Sequence, residues 1–198
     1  MPSKASLLNI IHTEIVNFKS SPLYSFRIKN HYQVVSGEGS PNAKIIFIGE
    51  APGANEAKTG KPFCGASGRI LDQLLNSIDI KRQDVFITSI VKDRPPENRD
   101  PTPQEITLYT PFLTRQINII KPKIIVTLGR HAMNVMMKNF GLEDQLKPIS
   151  EAHGQLLTIK TAWGKATLLP LYHPAVALYN GSTKSTLEKD FQILKKLV

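Results

Sequence analysis

The chain of 198 residues has one cysteine, Cys64. One cysteine cannot close an internal disulfide, nor make a cysteine metal site of its own. A reducing compartment is expected. No apolar run reaches the length of a membrane span. Met1 to Asn9 lacks a long apolar core, so no secretion signal is expected and the chain is placed in the cytoplasm. Internal repeats and low-complexity linkers are missing. The Gly-Lys-Ser/Thr signature of a phosphate loop is missing too, which counts against a nucleotide-binding hydrolase. Acidic side chains are few: 16 Asp plus Glu stand against 25 Lys plus Arg, a formal charge of +9. That balance points to a polyanionic partner, most simply nucleic acid, and not to a membrane. The length suits one domain, residues 1–198, with a sizeable core.

What is present alternates between strands and helices. Leu7, Leu8, Ile11, Ile15 and Phe18 recur at helical spacing over 4–19, and 20–42 reads as irregular. Lys44 to Ile48 is an apolar run with the look of a strand buried on both faces. The loop Gly49-Glu50-Ala51-Pro52-Gly53-Ala54-Asn55-Glu56 follows at once, at the strand end where open α/β sheets place ligands. Pro62-Phe63-Cys64-Gly65 leads to a helix with Ser67 as expected N-cap and Ile70, Leu71, Leu74, Leu75 and Ile78 on one face. Val85 to Val91 is a second strand, and the proline-rich Arg94 to Pro101 is irregular. Thr102-Pro103-Gln104-Glu105 is a capping box opening a helix to about Ile120. Lys123 to Leu128 is a third strand, and Gly129 turns into a helix through Met137. Two short strands over 153–170 lead to Tyr172-His173-Pro174, and a last helix carries Leu187, Phe191, Leu194 and Val198 on one face. The pattern predicts a mostly parallel sheet covered on both sides. Glu50, Phe63, Ser89, Arg94 and His173 should then gather at one edge.

Several of these motifs stand in the order of a known family. They are Gly37-Glu38-Gly39-Ser40-Pro41, the loop Gly49 to Glu56, Gly60 to Gly65, Ile87-Thr88-Ser89, Lys92 to Arg99, Thr127-Leu128-Gly129 and Tyr172-His173-Pro174-Ala175. From about Ile15 to the last helix the chain resembles the family 4 uracil-DNA glycosylases. The resemblance implies a three-layer α/β/α sandwich around a central four-stranded, mostly parallel sheet. It implies removal of a deaminated base from DNA, single- or double-stranded, by a monomer. Two positions depart from the family pattern. Its iron–sulfur cluster needs four thiolates, and the matching positions here hold Phe18, Ser21, Asp93 and Tyr109. No cofactor or metal is therefore expected; Phe18 and Tyr109 would fill the space and Asp93 would pair with a base. The family also has asparagine, which reads the uracil edge, where this chain has Ser89.

The resemblance assigns roles residue by residue. The flipped base needs a stacking partner, and Phe63 matches it. His173 matches the donor to the base O2. Glu50 would orient the attacking water, and Glu56 lies at the C5 edge, where it excludes thymine. Ala51 and Ser89 complete the base pocket. Phosphates would be held by the helix opening at Ser67-Gly68 and by Arg69, Arg94, Asn98, Arg99 and Arg130. Leu178 is the wedge for the gap in the duplex, with Val176 or Tyr179 as substitutes. No lysine is assigned to attack the sugar, so a hydrolytic reaction without a lyase step is expected. Ser89 leaves open a shift toward hypoxanthine or xanthine, and a DNA-binding relative of weak activity is the other alternative.

Overall fold

The computed structural model describes residues 2–197. Val198, expected on the apolar face of the last helix, lies outside the described residues. The strands are β1 (Glu38–Gly39), β2 (Ile45–Gly49), β3 (Phe86–Ser89), β4 (Ile124–Leu128), β5 (Leu157–Thr161) and β6 (Gly164–Leu171). They form one sheet in the order β1-β3-β2-β4-β6-β5. The inner four, β3-β2-β4-β6, are mutually parallel. This is the four-stranded core expected; β1 and β5 extend it as antiparallel edges.

Every residue of β2 and β4 is buried. Side chains alternate along a strand, so each such strand feeds two cores. Ile46, Ile48 and Ile125 join Ile11, Ile15, Tyr109, Leu113 and Met133 on one face. Ile45, Phe47, Ile124 and Val126 join Leu71, Leu75, Leu187 and Phe191 on the other. The first layer is built by α1 (Lys4–Val16), α5 (Pro103–Ile120) and α6 (Arg130–Asn139), the second by α4 (Ala66–Ser77) and α8 (Gly181–Lys195). Three short helices complete the chain: α2 (Tyr24–Lys29), α3 (Ala54–Thr59) and α7 (Ile149–Ala152).

Some boundaries differ from expectation. The first helix ends at Val16, and the stretch read as irregular contains α2 and β1. The capping box at α5 forms in both directions: Glu105 N donates to Thr102 Oγ1 at 3.2 Å and Thr102 N to Glu105 Oε2 at 2.8 Å. Ser67 is not the cap of α4; Gly65 occupies that place, without a side-chain cap. The carboxylate of Glu56 braces the approach to the helix, its Oε1 accepting from Cys64 N and Gly65 N, each at 3.0 Å.

The four positions matched to cluster thiolates converge. Tyr109 is fully buried, and its hydroxyl lies 2.8 Å from Ser21 Oγ and donates to Asp93 Oδ2 at 2.6 Å. Phe18 meets the Tyr109 ring edge-on at 5.6 Å. Arg27 Nε and Asp93 Oδ1 form an ion pair at 2.9 Å, off the line of a hydrogen bond. Burial raises the Asp93 pKa, opposed by Tyr109 and Arg27. These groups do not fit an iron–sulfur cluster, since none is a thiolate and their polar atoms are taken up by one another. The network ties the turn before α2, the exit of β3 and α5 together. Tyr109→Phe should therefore cost about 1–3 kcal/mol, by stranding Asp93 Oδ2 in the core. Urea unfolding of the two proteins checks this; an unchanged midpoint would show that the hydroxyl is dispensable.

Candidate active site

A cavity of about 440 Å³ opens at the carboxyl ends of the parallel strands. The loop after β2 supplies Ala51, Pro52 and Gly53, α3 supplies Glu56, the turn before α4 supplies Pro62 and Phe63, and the first turn of α4 supplies Ser67. Ser89 comes from the end of β3, Asn98 from the next loop, and His173 with Ala175 from the segment after β6. β2 is the strand from which the order runs outward in both directions, so the cavity sits where open α/β sheets leave a crevice.

Phe63 is held by two absences. A Cβ on Gly49 would stand 2.8 Å from the Phe63 ring, and one on Gly68 would stand 1.8 Å from its carbonyl oxygen. Gly68 is buried and packs the Phe63 turn. Phe63 has φ of 46°, a left-handed conformation rare for such a side chain. Its ring lies 5.6 Å from the His173 ring, tilted by 31°.

His173 has a defined tautomer. Ala175 N donates to Nδ1 at 3.2 Å, so Nδ1 bears a lone pair and Nε2 carries the hydrogen. Burial lowers its pKa to about 4, with Glu56 pulling weakly the other way. The ring is a neutral donor at physiological pH.

Glu56 lies on the cavity wall, its Oε1 accepting from the two amides just before α4, Cys64 N and Gly65 N. Ser67, in the first turn of α4, lines the cavity. Ser89 is almost fully buried and also lines it. Its hydroxyl donates to Val91 O at 2.7 Å, so only lone pairs are left for a ligand. The hydroxyl is an acceptor there and does not rotate freely between roles.

Glu50 is not part of the cavity wall. It is half-buried in a group with Asp100 and His131, with one ligating atom from each within 4.8 Å of the others. Burial raises its pKa, and Asp100 raises it further against His131 and Arg130. Asp100 and His131 carry no signal in the sequence, because they stand 50 and 81 residues away from Glu50, Asp100 in a loop and His131 in the first turn of α6.

The arginines divide. Arg69 and Arg130 are exposed. Arg94 Nε donates to Asn98 Oδ1 at 2.7 Å and Nη1 to the Tyr32 hydroxyl at 2.7 Å, so Arg94 braces the loop that carries Asn98. Arg99 does not stand free for a phosphate: it holds both Glu105 oxygens, at 2.6 and 2.9 Å. Leu178 and Tyr179 are exposed, at 43% and 89%. Val176 packs against the core and is no substitute wedge.

A model of the uracil DNA glycosylase superfamily matches residues 36–195. The chain belongs to the uracil DNA glycosylase superfamily. It is similar to the type-4 uracil-DNA glycosylase of Sulfurisphaera tokodaii, at 44% identity over 191 residues, covering 96% of this chain and 84% of that protein. The type-4 uracil-DNA glycosylase of Archaeoglobus fulgidus is 39% identical over 191 residues, covering 96% and 92%. That of Thermotoga maritima is 35% identical over 203 residues, covering 99% of each. The superfamily match takes in every element that lines the cavity except Val35, at its edge.

Proposed function

We propose that this protein flips uracil out of DNA and removes it by hydrolysis of the N-glycosidic bond, as a monofunctional glycosylase of base excision repair. The observation that carries the reading is the pairing of Phe63 with the neutral, singly defined His173 donor in one cavity. As the bond breaks, the sugar gains positive charge and the base negative charge. Phe63 stacks on the extruded base. His173 Nε2–H is aimed at the base oxygen on which negative charge grows. Glu50, kept beside Asp100 and His131, orients the water and faces the sugar once ionised. Glu56 crowds the C5 edge and disfavours the thymine methyl.

Arg69 and Arg130 serve the phosphates, and Leu178, with Tyr179 beside it, enters the duplex. The reading includes a monomer acting in the cytoplasm; among the described residues no helix is long and apolar enough to cross a membrane. Strands carrying one uracil, hypoxanthine or xanthine, incubated with the protein and then treated with alkali, test it. Breaks at uracil are expected. Intact uracil strands under single-turnover conditions would reject the reading.

Ser89 sets the rate within this scheme. Its lone pairs can accept from uracil N3–H but have no hydrogen for O4, since that hydrogen is spent on Val91 O. An amide offers both. Ser89→Asn should raise the uracil rate by an amount equal to one hydrogen bond on a buried edge, about 1–3 kcal/mol. Single-turnover kinetics on uracil and hypoxanthine strands measure it, and unchanged rates on both would place Ser89 off the recognition edge.

A further inference from the structure

Neither lysine nor arginine stands among the described residues lining the cavity, and the one formal charge there is the Glu56 carboxylate. His173 is neutral. Charge that develops on a departing base therefore meets no cation in the cavity wall. Directly behind that wall is Lys92, fully buried. Its ammonium nitrogen donates to Ser89 O at 2.5 Å, Thr88 Oγ1 at 2.6 Å and Gln116 Oε1 at 2.8 Å. Thr88 sends its own hydrogen to Ser36 O at 3.0 Å, and Gln116 Nε2 donates to the same oxygen at 2.6 Å. So three lone pairs converge on Lys92, and only the protonated amine has three hydrogens to match them. No carboxylate lies within ion-pair distance of it among the described residues, which leaves its field uncancelled at close range. Burial drives the Lys92 pKa well below the usual lysine value; hydrogen bonds to three acceptors favour the charged form. Lys92 also grips the cavity through its backbone. Val35 N donates to Lys92 O at 2.9 Å, and Val35, like Ser89, lines the cavity.

We propose that Lys92 is a positioning residue for base removal: a buried cation that sets the Ser89 wall and lends its field to the base leaving as an anion. The inference rests on the base-removal reading above. A charge held one residue behind the wall acts through a low-dielectric layer, where it is screened far less than in water. It acts on the product side of the bond, so its benefit grows with the charge the leaving base must bear. A poor leaving group needs it more than a good one.

The experiment compares single-turnover excision of uracil and of 5-fluorouracil from otherwise identical strands. Fluorine draws electrons from the ring and makes the better leaving anion, with little added bulk at C5. Lys92→Met keeps the length of the stem and removes the charge. Gln116→Glu keeps Lys92 and sets a carboxylate against it, at the loss of one contact to Ser36. Both variants should slow uracil by about 10- to 100-fold, less than loss of a donor that touches the base. Both should slow 5-fluorouracil much less, so the ratio of the two rates rises. A role confined to packing slows both substrates alike. If either folded variant, checked by circular dichroism and DNA binding, leaves the ratio at the wild-type value, the proposal is overturned; should Lys92→Met not fold, Gln116→Glu decides. Wild-type protein inactive on both strands would instead overturn the base-removal reading.

Discussion

His173→Ala should lower the single-turnover rate of uracil removal by about 100- to 1,000-fold, the usual cost of one preorganised donor to a developing anion. Binding to uracil-containing DNA should change little, because the donor acts on charge formed in the transition state. A second readout follows from the tautomer. Below about pH 4 the ring protonates at Nδ1, where Ala175 N–H already points, and that contact breaks. Between pH 6.5 and about 4 the unfolded chain takes up a proton that the folded ring refuses, so stability falls as pH falls through that window. Above it this group contributes no slope. The rate should accordingly show no inflection near 6.5 that belongs to His173. Full activity of His173→Ala at saturating DNA, or a wild-type inflection at 6.5 that the variant lacks, would reject the assignment.

Gly68→Ala should be nearly as damaging, though its side chain would never touch DNA. The new methyl would fall 1.8 Å from Phe63 O and 2.3 Å from Phe63 C, both backbone atoms. The turn must move, and it already holds Phe63 at a left-handed φ. The ring then leaves its place between Gly49 and His173. Loss of one base–aromatic stack costs about 1–3 kcal/mol, and misplacement of a bound group by about 1 Å can cost about 100-fold in rate. A fall of about 100-fold is expected, with weaker binding to a strand carrying an uncleavable uracil analogue. Gly49→Ala should mimic it, through the ring instead of the backbone. Wild-type rates in both would mean that Phe63 is not the stacking partner.

Much of this was legible in the residues. The run Lys44 to Ile48 announced a strand buried on two faces, and its alternating side chains feed the two cores. Thr102 and Glu105 signalled a helix start that forms as read. Phe63, Ser89 and His173 meet in one cavity, as their loops implied. Other features depended on partners that no spacing reveals. Arg99 reads as a free cation until its neighbour of six positions later, Glu105, proves to hold it with both oxygens. Ser67 looks like a cap, but the helix starts one residue earlier, at Ala66, with Gly65 in the cap place. α3 itself has six residues and one buried side chain, too little for an apolar period. Lys92 carried a faint signal, a charge directly after Ile90 and Val91 at the exit of a buried strand. Two of its three acceptors come from β3 and the third from α5, and only the fold brings them together.

The place matched to the cluster thiolates is filled by Phe18, Ser21, Asp93 and Tyr109, with Arg27 closing it. Every part of that plug is made on the ribosome with the rest of the chain. Folding there waits on no delivered iron and no assembly machinery, and superoxide finds no labile iron to strip.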